Sequence, residues 1–70
     1  MKVKLWSLGV DTQQARRYSK LPKSRNPQEE DFVWIPISQI EHTTRHLAEP
    51  GEWPVHIVTV SDWFGEKAGL

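Results

Sequence analysis

The sequence predicts a small, mainly β domain: an antiparallel sheet of about four strands, curled into an SH3-like or barrel-like shape, with a short C-terminal helix. Three observations carry this expectation. Short runs of β-branched and aromatic residues, chiefly FVWI and VHIVTV, alternate with turns rich in Pro, Gly, Ser and Asn. Seventy residues suffice for one domain, 1–70, with a thin core. No cysteine is present to crosslink that core, whereas four tryptophans supply apolar mass. Each indole buries about 150–250 Å², so a few of them make up much of a small interior. Trp34 and Trp63 are expected in the core. Trp6 and Trp53 flank strand ends and are expected to be partly exposed.

KVKLWSLGV alternates loosely and reads as the first strand. Gly9 and Asp11 offer a turn. In TQQARRYSKL, Asp11 and Gln14 fit a capping box. As a strand, Ala15, Arg17, Ser19 and Leu21 share one face and Arg16, Tyr18 and Lys20 the other; strand is preferred. PKSRNPQEED is a solvated segment with two prolines, and residues 22–31 are expected to form a flexible loop. DFVWIPI is the clearest strand, apolar enough to be covered on both sides. Pro36 cannot donate to a ladder, so it belongs at a strand end or an edge. SQIE, with Ser38 and Glu41, has capping-box form and predicts one helical turn there.

The threonines of IEHTTRHL favour a strand running to about Leu47, although Glu41 and Arg45 have the i, i+4 spacing of a helix. AEPGEW centres a turn on Pro50-Gly51. PVHIVTV is the return strand, with His56, Val58 and Val60 opposite Val55, Ile57 and Thr59. Ser61 is placed to cap a terminal helix over DWFGEKAGL, with Asp62 favoured in its first turn.

Charge divides along the chain. Residues 1–25 hold seven cations against one acid, a net of +6, and residues 26–70 hold two cations against eight acids, a net of −6. The acids Glu29, Glu30, Asp31, Glu41, Glu49 and Glu52 are candidates to face a basic protein partner. Arg16, Arg17, Tyr18, Lys20, Lys23 and Arg25 interleave cations with an aromatic, a pattern that tracks a phosphate backbone and stacks a base. They are equally suited to pairing with the acidic half, or to protecting an edge strand. No cysteine nucleophile, GxSxG or glycine-rich phosphate loop is present, and no enzyme or cofactor is expected. His42 and His46, with His56 beyond, have a spacing that can hold a metal; the preferred reading is ordinary sheet histidines, with no metal site. No apolar run approaches the ~18–20 residues that cross a bilayer, and the N-terminal stretch makes a poor signal peptide. A cytoplasmic protein is expected.

The spacing of VWIPISQI and then VSDWFGEKAGL resembles small uncharacterised phage and prophage proteins that carry a WIPxSQI strand and close on a WxxxKxGL helix. The matching positions are Trp34, Ile35, Pro36, Ser38, Gln39, Ile40, Trp63, Lys67, Gly69 and Leu70, and the likeness covers about half the chain. Small cysteine-free chains of this kind with divided charge are similar to inhibitors of host defence, including anti-CRISPR proteins. The resemblance implies a non-enzymatic protein that binds a host CRISPR–Cas or other defence component stoichiometrically. The alternative is a nucleic-acid-binding accessory protein built on the basic segment 16–25.

Overall fold

A computed structural model describes all residues, Met1–Leu70. Five strands form one antiparallel sheet: β1 (Lys2–Asp11), β2 (Ala15–Ser19), β3 (Phe32–Pro36), β4 (Ile40–Arg45) and β5 (Val55–Val60). A six-residue helix, α1 (Asp62–Lys67), follows. The sheet order is β3-β2-β1-β5-β4, so the consecutive strands β3 and β4 stand at opposite edges.

That order dictates the curl. In a flat sheet, four strand spacings would separate β3 from β4 by about 19 Å. The connection is a single 3-10 turn, Ile37–Gln39, which advances only about 2 Å per residue. The sheet must therefore bend until its edges approach, although they do not pair and the sheet stays open. Two irregularities in register assist the bend. One lies in β1 between Ser7 and Asp11, around Gly9 at φ 72°, and the other in β4 between Ile40 and His42.

The concave face holds the core: Leu5, Tyr18, Ile35, Val58 and Val60, with Val3, Val33, Ile40, Phe64 and Leu70 packed against it. Its β5 contribution follows from period-2 alternation. His56, Val58 and Val60 are buried, and Val55, Ile57 and Thr59 between them are half-buried. β3 alternates likewise, with Ile35 fully buried and Trp34 44% exposed. The expectation of a strand covered on both sides is corrected here. β3 is an edge strand with one face turned outward, and Pro36, at its end, opposes Ala15 of β2.

Ser61 caps α1 as expected, its hydroxyl accepting from the Phe64 N–H at 3.2 Å. Gly69, at φ 73°, ends the helix. The Leu70 N–H donates to the Gly65 carbonyl and the Gly69 N–H to the Glu66 carbonyl, a Schellman closure. It turns Leu70 back onto the core.

The strand preferred over TQQARRYSKL forms as Ala15–Ser19, and some local details depart from expectation. The helical turn after Pro36 forms, but Ser38 and Glu41 do not cap it; its N-cap is Pro36, with no side-chain bond. The Asp11–Gln14 box is replaced by Thr12, whose hydroxyl accepts from the Gln14 and Ala15 N–H groups at 3.2 and 3.0 Å and turns β1 into β2. A capping box does form between Gln28 and Asp31. β4 ends at Arg45, before Leu47. Segment 22–31 contains two 3-10 turns, Lys23–Arg25 and Glu29–Asp31.

Candidate functional site

Three places concentrate side chains of chemical interest: two grooves, each carrying a pair of tryptophans, and one end of the concave face.

The first groove runs over β1 and β5 on the convex side. Trp6, Trp53, Val55 and Ile57 line it together with Lys4, Glu49 and Glu52, and its volume is about 570 Å³. Antiparallel register sets Trp6 against Val55 and Lys4 against Ile57, so these four share a face. The Lys4 ammonium lies 5.3 Å from the Trp6 ring centre. Glu52 fixes the rim. Its carboxylate accepts from the N–H groups of Lys23 (2.6 Å), Ser24 (3.3 Å) and Trp53 (3.0 Å), tying the first 3-10 turn to the β4–β5 loop. Loss of hydration pushes the Glu52 carboxyl upward, but those N–H donors together outweigh it and hold its pKa below the ordinary value.

The second groove lies where β3, the Ile37–Gln39 turn and α1 meet. Trp34, Pro36, Gln39, Trp63, Phe64, Lys67 and Ala68 line about 410 Å³. Here the indoles stand out: Trp34 is 44% and Trp63 64% exposed. Both were expected in the core, and the fold overturns that. Trp34 takes the outward phase of an edge strand whose inward phase goes to Ile35. Trp63 sits on the outer side of a helix that turns Phe64 and Leu70 inward. Cations lie over both rings. Arg17, opposite Trp34 in register, has its guanidinium 5.4 Å from Trp34 and 5.2 Å from Phe32, two residues away on the same face. Lys67 lies 4.9 Å from Trp63. Buried Arg17 Nε has no hydrogen-bond partner.

At the end of the concave face, Tyr18 Oη and His56 Nδ1 lie 2.9 Å apart, one donating and one accepting, with the rings edge to face at 5.4 Å and 67°. Tyr18 is fully buried and His56 8% exposed. Burial is the main reason the Tyr18 hydroxyl is pushed above its ordinary pKa, against Arg16 and Arg45, which pull it down. Burial, then Arg45 and Arg16, hold the His56 imidazole below its usual value, with Asp11 opposing.

The expected site residues are dispersed by this fold. Glu29, Glu30 and Asp31 form the turn before β3, where the Asp31 carboxylate accepts the Gln28 N–H at 2.8 Å. Glu41 is on β4, at the other edge of the sheet order. Glu49 and Glu52 line the first groove. Among the basic set, Arg16 and Tyr18 project to the concave face and Arg17 to the convex one. Lys23 and Arg25 are exposed on their turn and Lys20 is half-buried. The Tyr18 ring is enclosed in the core and offers no face to a base. His42 and His46 are exposed on and just beyond β4, whereas His56 is buried, and no three His, Cys, Asp or Glu side chains converge as a metal site would require. No helix is long and apolar enough to cross a membrane.

Two features were not singled out from sequence: the Arg17 stack between Phe32 and Trp34, and the Tyr18–His56 pair. A signal existed for the second, because alternation in VHIVTV groups His56 with two valines. Compared with protein-family models, curated proteins and solved structures, the chain has no match.

Proposed function

We propose that this protein is a non-enzymatic binding module that acts by stoichiometric contact with a protein partner, and that the Trp34–Trp63 groove is its contact surface. One observation carries the reading. In a chain whose buried apolar core is only five residues, two of four tryptophans are left 44% and 64% exposed, and they converge from different elements on one groove. Exposing indole forfeits burial that a minimal domain needs. Partly exposed tryptophan with nearby arginine is the composition of protein-binding hot spots. The acids of the first groove and of the Glu29–Asp31 turn serve electrostatic steering toward a basic partner, rather than the central contact. The likeness of the WIPxSQI and WxxxKxGL segments to small phage chains directs the reading to a component of host defence such as a CRISPR–Cas complex.

The test mixes purified CRISPR–Cas complexes with the protein and with a Trp34→Ala/Trp63→Ala variant, and measures stoichiometry and affinity. The expected result is one-to-one association weakened by about 30-fold or more, since hot-spot truncations cost about 2 kcal/mol or more. Association unaffected by the double substitution would remove the groove from the reading. Binding to single-stranded DNA or RNA alone, falling steeply with salt, would replace a protein partner with a nucleic acid.

A further inference from the structure

The Tyr18 ring belongs to the core, but its hydroxyl, the His56 imidazole and the arginines around them are used neither by apolar packing nor by the tryptophan grooves. A buried tyrosine–histidine pair occupies space that apolar side chains would fill at no desolvation cost. Its surroundings are cationic. Arg45 is the direct cross-strand partner of His56 from β4, and cross-strand partners share a face. Arg16 lies two residues before Tyr18 on β2 and shares its face. The third charged group is Asp11 of β1, in register with Arg16. Three strands thus bring two guanidiniums and one carboxylate to the end where the pair sits.

Neither arginine is held in an ion pair. The single ion pair of the molecule joins the Met1 ammonium to Asp62 at 3.1 Å, elsewhere. His56 Nε2 has no hydrogen-bond partner and is not among the buried unpaired atoms, so it keeps contact with solvent. The result is two guanidiniums outside any ion pair, that of Arg16 also within hydrogen-bonding reach of the Tyr18 hydroxyl, beside an imidazole whose outer nitrogen is open. Planar forks of this kind match the oxygens of phosphate and carboxylate.

We propose that Arg16, Arg45 and His56, backed by Tyr18, form a binding site for a small oxyanion, a phosphate or carboxylate group. Tyr18 is a positioning residue, holding the imbedded edge of the imidazole so that Nε2 faces the anion. Asp11 limits the net charge of the site to about that of one cation, which favours a compact anion over a polyanionic chain. The anion would offset the two arginine charges that disfavour imidazolium.

The experiment follows the His56 ring signal by NMR through a pH titration of the intact protein. Three solutions of matched ionic strength contain chloride alone, inorganic phosphate, or acetate; matching separates binding from simple screening of the arginines. Phosphate or acetate is expected to raise the His56 midpoint by about one pH unit relative to chloride. A shift with phosphate alone identifies a phosphate site, and one with acetate alone a carboxylate site. In Arg16→Gln/Arg45→Gln the shift disappears. Identical midpoints in all three solutions overturn the proposal, as does a shift that survives in the double variant. The wild-type comparison decides by itself if that variant does not fold.

Discussion

The two tryptophan pairs sit in opposite circumstances. Trp6 and Trp53 are half-buried in a groove whose rim is fastened by a carboxylate holding three backbone N–H groups. Trp34 and Trp63 face solvent more openly, and their own supports are the cations Arg17 and Lys67 lying against the rings. The first arrangement joins loops to the sheet. The second stiffens two exposed rings without covering them, which would lower the entropy lost if the proposed partner covered them. The difference teaches that indole count alone does not measure a small core: here the pairs divide between holding the fold and presenting a surface.

The comparison breaks first at the fold-holding pair. Trp6→Ala/Trp53→Ala should lose several kcal/mol of stability, because large-to-small changes at partly buried indoles remove both transfer energy and packing. Denaturant unfolding checks this; a loss below about 1 kcal/mol would erase the distinction between the pairs. A smaller effect is expected from Tyr18→Phe. It leaves the buried His56 Nδ1 without its 2.9 Å partner and should cost about 1–3 kcal/mol, lowering Tm by about 4–8 °C per kcal/mol in a domain of this size. An unchanged Tm would mean that water or another group replaces the hydroxyl at no cost.

The smallest effect is in pH. His56 titrates lower in the folded chain than in the unfolded one, where its value is about 6.5. Between those two values the unfolded chain binds the extra proton, so stability rises with pH there and falls on acidification. The contribution is complete above about pH 6.5 and lost as pH drops through the folded value. His56→Gln should flatten this part of the stability profile, and a profile that keeps its slope would place its origin at another group.

Much of the fold was legible because its signals are local. Alternation in VHIVTV sets the buried face of β5, Ser61 caps the helix, and Gly51, at φ 77°, sits in the Pro50-Gly51 turn. The tryptophans were not legible in the same way. FVWI reads as a fully covered strand by composition, but an edge strand buries only one phase, and the sheet order that puts β3 at an edge is set by pairing far along the chain. Tyr18 misled for a related reason. Its sequence neighbours are cations, while its hydroxyl partner, His56, is 38 residues away. The acidic set was legible as charge but not as geometry, since strand order divides Glu41 from the Glu29–Asp31 turn and the β4–β5 loop takes Glu49 and Glu52 to a groove.

The account rests on Trp34 and Trp63 being surplus to the fold. The unfolding free energy of Trp34→Ala/Trp63→Ala, measured in urea against wild type, tests that most directly. The account predicts a folded chain that loses no more than about 2 kcal/mol, in line with the small packing and cation–ring contributions of exposed indoles. A larger loss than that of Trp6→Ala/Trp53→Ala, or a chain that no longer folds, would contradict it.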